Sequence, residues 1–273
     1  MKTIQGNTTK NGLIVGNLQG ELADLVVRKY HEEFRGTRAD FDTSVKEGEF
    51  LRHSNTIFNN FANVLLRQEL GDSTHVLTAE EFVQHWDNIP DKSSTYADTC
   101  GIAIFPNKGP NEEHRQRVFG IIGKASTSIP LIVYGLKPVR CGNEDGFQFK
   151  GSEYIVTKEA PFLQNDGTVK YDQSINGLVS SGKGVSVWTP SSQTGLRRVY
   201  RDGDDGSDAR NDYLLNANSV GRVQILQDPK GLVAKISDRY TRVLSEIQGL
   251  PEDMKEAIAH YARNDPSVLE KLM

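Results

Sequence analysis

The chain has 273 residues, 37% of them apolar and 25% charged, and 32 basic against 36 acidic side chains leave a net charge of −4. That length holds one large domain or two ordinary ones and buries a core without disulfide or metal staples. The acidic balance argues against a whole-surface nucleic-acid coat, which needs a basic surplus, and the lean apolar share with 25 glycines points to abundant loop or to surface that partners cover.

The opening Met1-Lys2-Thr3-Ile4-Gln5-Gly6-Asn7 lacks the apolar stretch of a secretory signal. Beyond Met1, residues 1–17 carry only Ile4, Leu13, Ile14 and Val15 as large apolar groups. Such a segment gains little from its own domain, so contacts outside the domain are expected to order it. Leu18, Leu22, Leu25, Val26, Tyr30 and Phe34 then fall on one helical face, and Gly36 stops that helix. A second helix is expected from Ser54 or Asn55 to Leu70, with Ile57, Phe58, Phe61, Val64 and Leu65 turned inward and Gly71 after it. Thr78 followed by Glu81 is a capping-box signature for a short third helix carrying Phe82, His85 and Trp86 up to Pro90.

From about residue 98 the period changes. Cys100, Ile102 and Ile104 alternate as a strand, and Pro106 to Pro110 is a turn cluster. Val118–Ile122 and Leu131–Leu136, apolar at consecutive positions, are expected to be strands buried on two faces. Turn signals at Asn143–Gly146, Asn165–Gly167, Asn176-Gly177 and Asp202–Gly206 separate further short strands at Phe147–Lys150, Tyr154–Thr157, Val185–Trp188, Leu196–Tyr200 and Val223–Leu226. Leu232, Ile236, Tyr240, Val243, Leu244 and Ile247 make a helical stripe that Gly249 ends. Pro251 opens another helix with Met254, Ile258 and Tyr261, and a last turn follows Pro266, too short to stand alone. No internal repeat, heptad seam or low-complexity tract is read. No apolar run approaches membrane-spanning length. The fold class expected is α+β: a mainly helical N-terminal region over 1–97, an antiparallel, sandwich or barrel-like β core over 98–230, and C-terminal helices over 231–273, together one compact unit.

No motif names a reaction. Gly177-Leu178-Val179-Ser180-Ser181-Gly182-Lys183-Gly184 matches a phosphate-binding loop through its lysine. Gly184, however, stands where a Mg²⁺-holding Ser or Thr belongs, and Val185–Trp188 is strand-like where a helix is needed. The acidic tip Asp202–Asp208 fails the calcium-loop register, because Gly206 and Tyr213 fall where ligands belong. Arg197, Arg198, Arg201 and Arg210 flank that tip and suit phosphate or carboxylate partners, or internal pairing with the aspartates beside them. The binding candidates are therefore Lys183, Arg197, Arg198 and Arg201. The six histidines stand in no metal or triad spacing, and Cys100 and Cys141 are expected as free thiols, although one bridge between them stays open. No cofactor and no metal is indicated.

These features favour a non-catalytic structural or assembly subunit, such as a virion component. It would partner other protein subunits in a homo- or hetero-oligomer, with nucleic acid disfavoured and no membrane association. Its place would be the cytoplasm, or a particle assembled there. Two alternatives remain: an enzyme whose site gathers distant residues around a phosphate- or sugar-containing substrate, and a nucleic-acid-binding subunit with a local basic face.

Overall fold

A computed structural model describes residues 4–41, 51–93, 95–203, 206–217 and 220–256. In chain order the elements are β1 (Ile4–Thr8), β2 (Ile14–Leu18), α1 (Gly20–Phe34), α2 (Thr56–Leu70), β3 (Thr74–Val76), α3 (Ala79–Gln84) and β4 (Tyr96–Ile104). They continue with α4 (Glu112–Ile121), β5 (Leu131–Tyr134), β6 (Lys137–Arg140), β7 (Phe147–Lys150), β8 (Val156–Glu159), β9 (Gly167–Asp172), β10 (Gly177–Ser180) and β11 (Val185–Trp188). The last are β12 (Leu196–Asp202), β13 (Gly206–Asp208), β14 (Gly221–Arg222), β15 (Gln224–Gln227) and α5 (Pro229–Gln248).

The class is α+β. The large sheet runs β10-β9-β11-β13-β12-β4-β5-β8, with β14 beside β4, and curls into half a barrel. Its pairs are antiparallel apart from β11–β13 and β14–β4. A second sheet, β1-β2-β15-β3, is antiparallel throughout. Strand β4 crosses the expected boundary at residue 97, and the second sheet takes strands from both ends of the described chain.

Helix α2 is the centre of the packing. Asn55 caps it, its side chain accepting a hydrogen bond from the Phe58 N–H at 2.8 Å, and Gly71 follows with φ +72°. Its apolar stripe goes inward as expected: Phe58, Phe61 and Val64 are buried and Leu65 half-buried. The helix is also buried on its polar side, at Asn59, Asn60 and Asn63, because it packs against β3, β4 and β6 as well as α1. Tyr30 of α1 meets Phe58 and Phe61 at ring distances of 4.9 and 5.4 Å, and its hydroxyl donates to the Ala39 carbonyl at 2.7 Å. The polar end of the ring is thus satisfied where its apolar body is buried.

Three sequence expectations need correction. The opening before the first helix, for which the sequence predicts no element, is the β1–β2 hairpin. Residues 4–18 are held by ladder bonds to β15 and by the burial of Val15 and Leu18, so they pack on their own chain and form no outward arm. Of the expected strand Val118–Ile122, residues 118–121 end α4 and Ile122 is its C-cap. Its apolar run belongs to a helical pattern in which His114, Arg115, Val118 and Phe119 are buried, a spacing of one and three residues that a strand cannot place on one face. Residue bounds elsewhere move little: the strand expected at Tyr154–Thr157 is β8 at Val156–Glu159. The turn expected from Pro266 lies outside the described residues.

Candidate functional site

The arginine run of β12 enters the interior of the sheet. Strands β12 and β4 are in register at Arg198↔Ile102 and again at Tyr200↔Asp98, so two residues on one strand span four on the other. The surplus in β4 is a bulge at Thr99–Gly101. The Thr99 hydroxyl replaces the lost ladder bonds, donating to the Val199 carbonyl at 2.9 Å and accepting from the Gly101 N–H at 3.0 Å. Gly101 has no alternative here, since a Cβ would lie 2.7 Å from the Tyr134 ring.

That bulge brings Asp98 to Arg198. The pair is bidentate, Nε to Oδ1 at 2.7 Å and Nη2 to Oδ2 at 2.6 Å, with Asp98 0% and Arg198 1% exposed. Thr56 at the start of α2 donates to Asp98 Oδ1 at 2.5 Å, and Arg198 Nη1 donates to the Asn216 carbonyl at 3.3 Å. The Tyr96 and Tyr200 rings lie 5.1 and 4.5 Å from the guanidinium carbon, within cation–π range. Burial alone would favour a neutral guanidine, but the Asp98 carboxylate outweighs it and holds Arg198 above its ordinary pKa. This is an internally satisfied polar knot tying α2, β4 and β12, with no face left for a ligand.

Arg201 is also buried. It donates to the Lys92, Thr95 and Gly203 carbonyls and to the Thr95 hydroxyl, so it closes loop backbone rather than pointing at solvent. Arg197 donates to the Thr194 carbonyl at 2.9 Å and to the Arg210 carbonyl, and lies 3.8 Å from Asp212. Arg210 pairs with Asp208, the internal pairing that the sequence offered as an alternative. Lys183 sits apart in the exposed turn between β10 and β11, so the Gly177–Gly184 segment runs from strand to strand. The four candidates therefore do not converge. Sequence reading missed Asp98, whose only signal is a lone carboxylate in the otherwise uncharged run Tyr96–Ile104.

Several other reactive side chains among the described residues have partners within the fold. Burial pushes the Cys100 thiol well up, which leaves little thiolate, and both cysteines are free. His114 stacks on Phe147 at 4.6 Å and contacts Asp145 at 3.0 Å, while His75 contacts Glu81 at 2.8 Å. Among the described residues no cluster of three metal-capable side chains occurs.

The surface feature that stands out is α5. Its first turns dock beside the end of α2, where an open cleft of about 790 Å³ is lined by Arg67, Asp72, Tyr154, Gly231, Lys235 and Asp238. Arg67 and Asp72 are paired with each other across it. Gly231, Lys235, Asp238 and Arg242 line the body-facing side of α5. At roughly 100° per residue these four lie within about 60° of one another. Val233 and Ile247 centre about 170° away around the same helix. The helix thus turns polar residues to its own body, while on the other side Val233 is 67% exposed and Ile247 half-buried. Comparison with known proteins adds no further constraint: no family model, curated protein or solved structure matches the chain.

Proposed function

We propose that this chain is a non-catalytic subunit of a larger protein assembly and that α5 is its contact. The observation that carries the reading is the orientation of α5, whose Gly231, Lys235, Asp238 and Arg242 line the clefts on the body while Val233, on the other side, is 67% exposed. A surface helix ordinarily buries its apolar side on its own core. Each large apolar side chain moved from water into an interface contributes about 1.5–3 kcal/mol, so an exposed valine on this side is an incentive to associate. The arginines that suggested a phosphate or nucleic-acid face support this reading too, because Arg198 and Arg201 are occupied inside the fold.

The test is the native mass of the chain in extracts of the cells that make it. The wild-type chain is expected in a high-mass species, and a Val233→Asp, Ile247→Asp variant is expected to leave it. A wild-type chain eluting at its monomer mass of 30.4 kDa would overturn the reading.

A further inference from the structure

We propose that the cleft between residues 161–169 and Ser180–Gly182 binds a neutral polyhydroxylated ligand the size of one sugar ring. The cleft has a volume of about 400 Å³ and shares no lining residue with the clefts beside α5. That volume is near the lower end for small-molecule sites, roughly 300–1,000 Å³. One wall runs from the 3₁₀ turn Pro161–Leu163 into β9, and the other is the end of β10 with the turn that follows it. Ser180 pairs with Val169, and the Ser181 N–H donates to the Thr168 carbonyl at 2.9 Å, so the sheet fixes the two walls to each other. The second wall belongs to the glycine-rich segment whose lysine suggested phosphate in the sequence.

The lining groups decide the class of ligand. Asp166 is the one charged group among them: of the described residues, no lysine, arginine or histidine lines the cleft. Asp166 Oδ1 accepts from the Thr189 N–H at 2.7 Å and from the Thr189 hydroxyl at 3.2 Å. The carboxylate is thereby oriented in advance, and its Oδ2 accepts no hydrogen bond from the described residues. Arg210 lies within electrostatic reach of Asp166 but is held by Asp208 through Nε and Nη2. The side chains of Asn165 and Ser180 hydrogen-bond to no described residue, leaving an amide and a hydroxyl to give and take hydrogen bonds. Half-buried Phe162 supplies an apolar wall. Neighbouring sugar hydroxyls donate and accept together, and the ring C–H groups suit an aromatic wall. A phosphate would instead meet the like charge of Asp166 with no cation to offset it. An amine would gain only one exposed ion pair, a weak contribution.

Gly167 and Gly182 keep the cleft open. A Cβ on either would meet nothing within 4 Å, and neither has the positive φ of the left-handed region. A large side chain at Gly182 can therefore fill the cleft without straining the turn. So open a site implies weak binding, with a Kd of about 1–10 mM. Amide NMR titration of the full chain with glucose, galactose, mannose and N-acetylglucosamine, each to about 50 mM, should shift the Gly167 and Gly182 resonances saturably with at least one sugar. Asp166→Asn, which keeps an oxygen for Thr189, should weaken that binding roughly tenfold. Gly182→Trp should abolish it while the variant melts like the wild-type chain, and if that variant is misfolded Asp166→Asn alone decides. No shift of these resonances with any of the sugars would overturn the proposal. So would their saturation by inorganic phosphate or by putrescine at a lower concentration than by any sugar, which would make the cleft an anion or amine site. Sugar binding that is unchanged in Asp166→Asn would place the sugar elsewhere and overturn it as well.

Discussion

At the scale of single residues, the Asp98–Arg198 pair carries the clearest consequence. Both groups are withdrawn from water and satisfied by each other, Thr56, the Asn216 carbonyl and two tyrosine rings. Removing one partner leaves an uncompensated charge in the interior, so Asp98→Ala should cost about 3–5 kcal/mol. An Asp98→Leu, Arg198→Met double variant should recover much of that, because it removes both charges together. Denaturant midpoints read both effects, and an unchanged midpoint for Asp98→Ala would show that the pair is not desolvated. Arg210 is the internal control: its side chain is half exposed beside Asp208, and Arg210→Ala should cost no more than about 1 kcal/mol. The sequence displays four arginines near an acidic tip but carries no sign that Arg198 turns to a carboxylate a hundred positions earlier.

At the scale of elements, α3 is held by chemistry that is local and therefore readable. Thr78 accepts from the Glu81 N–H at 3.2 Å, and Glu81 Oε2 accepts from the Thr78 N–H at 2.9 Å, closing the expected capping box. Burial alone would raise the Glu81 carboxyl, but His75 and the Thr78 hydrogen bonds outweigh it and hold it down from 4.5 to about 2. The unfolded chain therefore takes up this proton first as pH falls. Stability from the Glu81 carboxylate is complete above about pH 5 and is lost progressively from there toward pH 2, amounting to roughly 3 kcal/mol. Glu81→Gln should flatten that part of the profile, which urea midpoints at pH 7 and pH 3 would measure. Parallel profiles for the two proteins would show that the carboxyl titrates normally. Helix α4 is the opposite case. Its apolar end at Val118–Ile122 satisfies a buried strand as well as a helix, and only packing of His114, Arg115, Val118 and Phe119 against the body separates them.

At the scale of the whole molecule, the two ends of the described body are joined through β15. That strand pairs with β2 on one side and β3 on the other, in register Leu226↔Val15 and Leu226↔His75. Deleting residues 1–18 would strip β1 and β2, leave a β15 edge unpaired and uncover the surface that Val15 and Leu18 bury. The loss is expected to exceed about 5 kcal/mol, comparable to the whole stability of many domains. The shortened chain should therefore lose its cooperative thermal transition. A deletion variant melting within a few degrees of the intact chain would show that the hairpin is an accessory.

What the sequence by itself determined is what short-range chemistry specifies: α1 and α2 from their 3.6-residue stripes, α3 from its capping box, the hairpin turns from Asn, Asp and Gly, and α5 as an amphipathic helix. Only the tertiary structure decided that the first eighteen residues join β15, that Arg198 is enclosed with Asp98, and that α2 is buried at its asparagines as well as its aromatics. It also decided that α5 sets Gly231, Lys235, Asp238 and Arg242 along the body and leaves Val233 exposed. Periodicity defines a face but not the direction in which that face points. Strand partners, buried ion pairs and helix orientation depend on contacts between residues far apart in sequence, which the folded chain alone brings together.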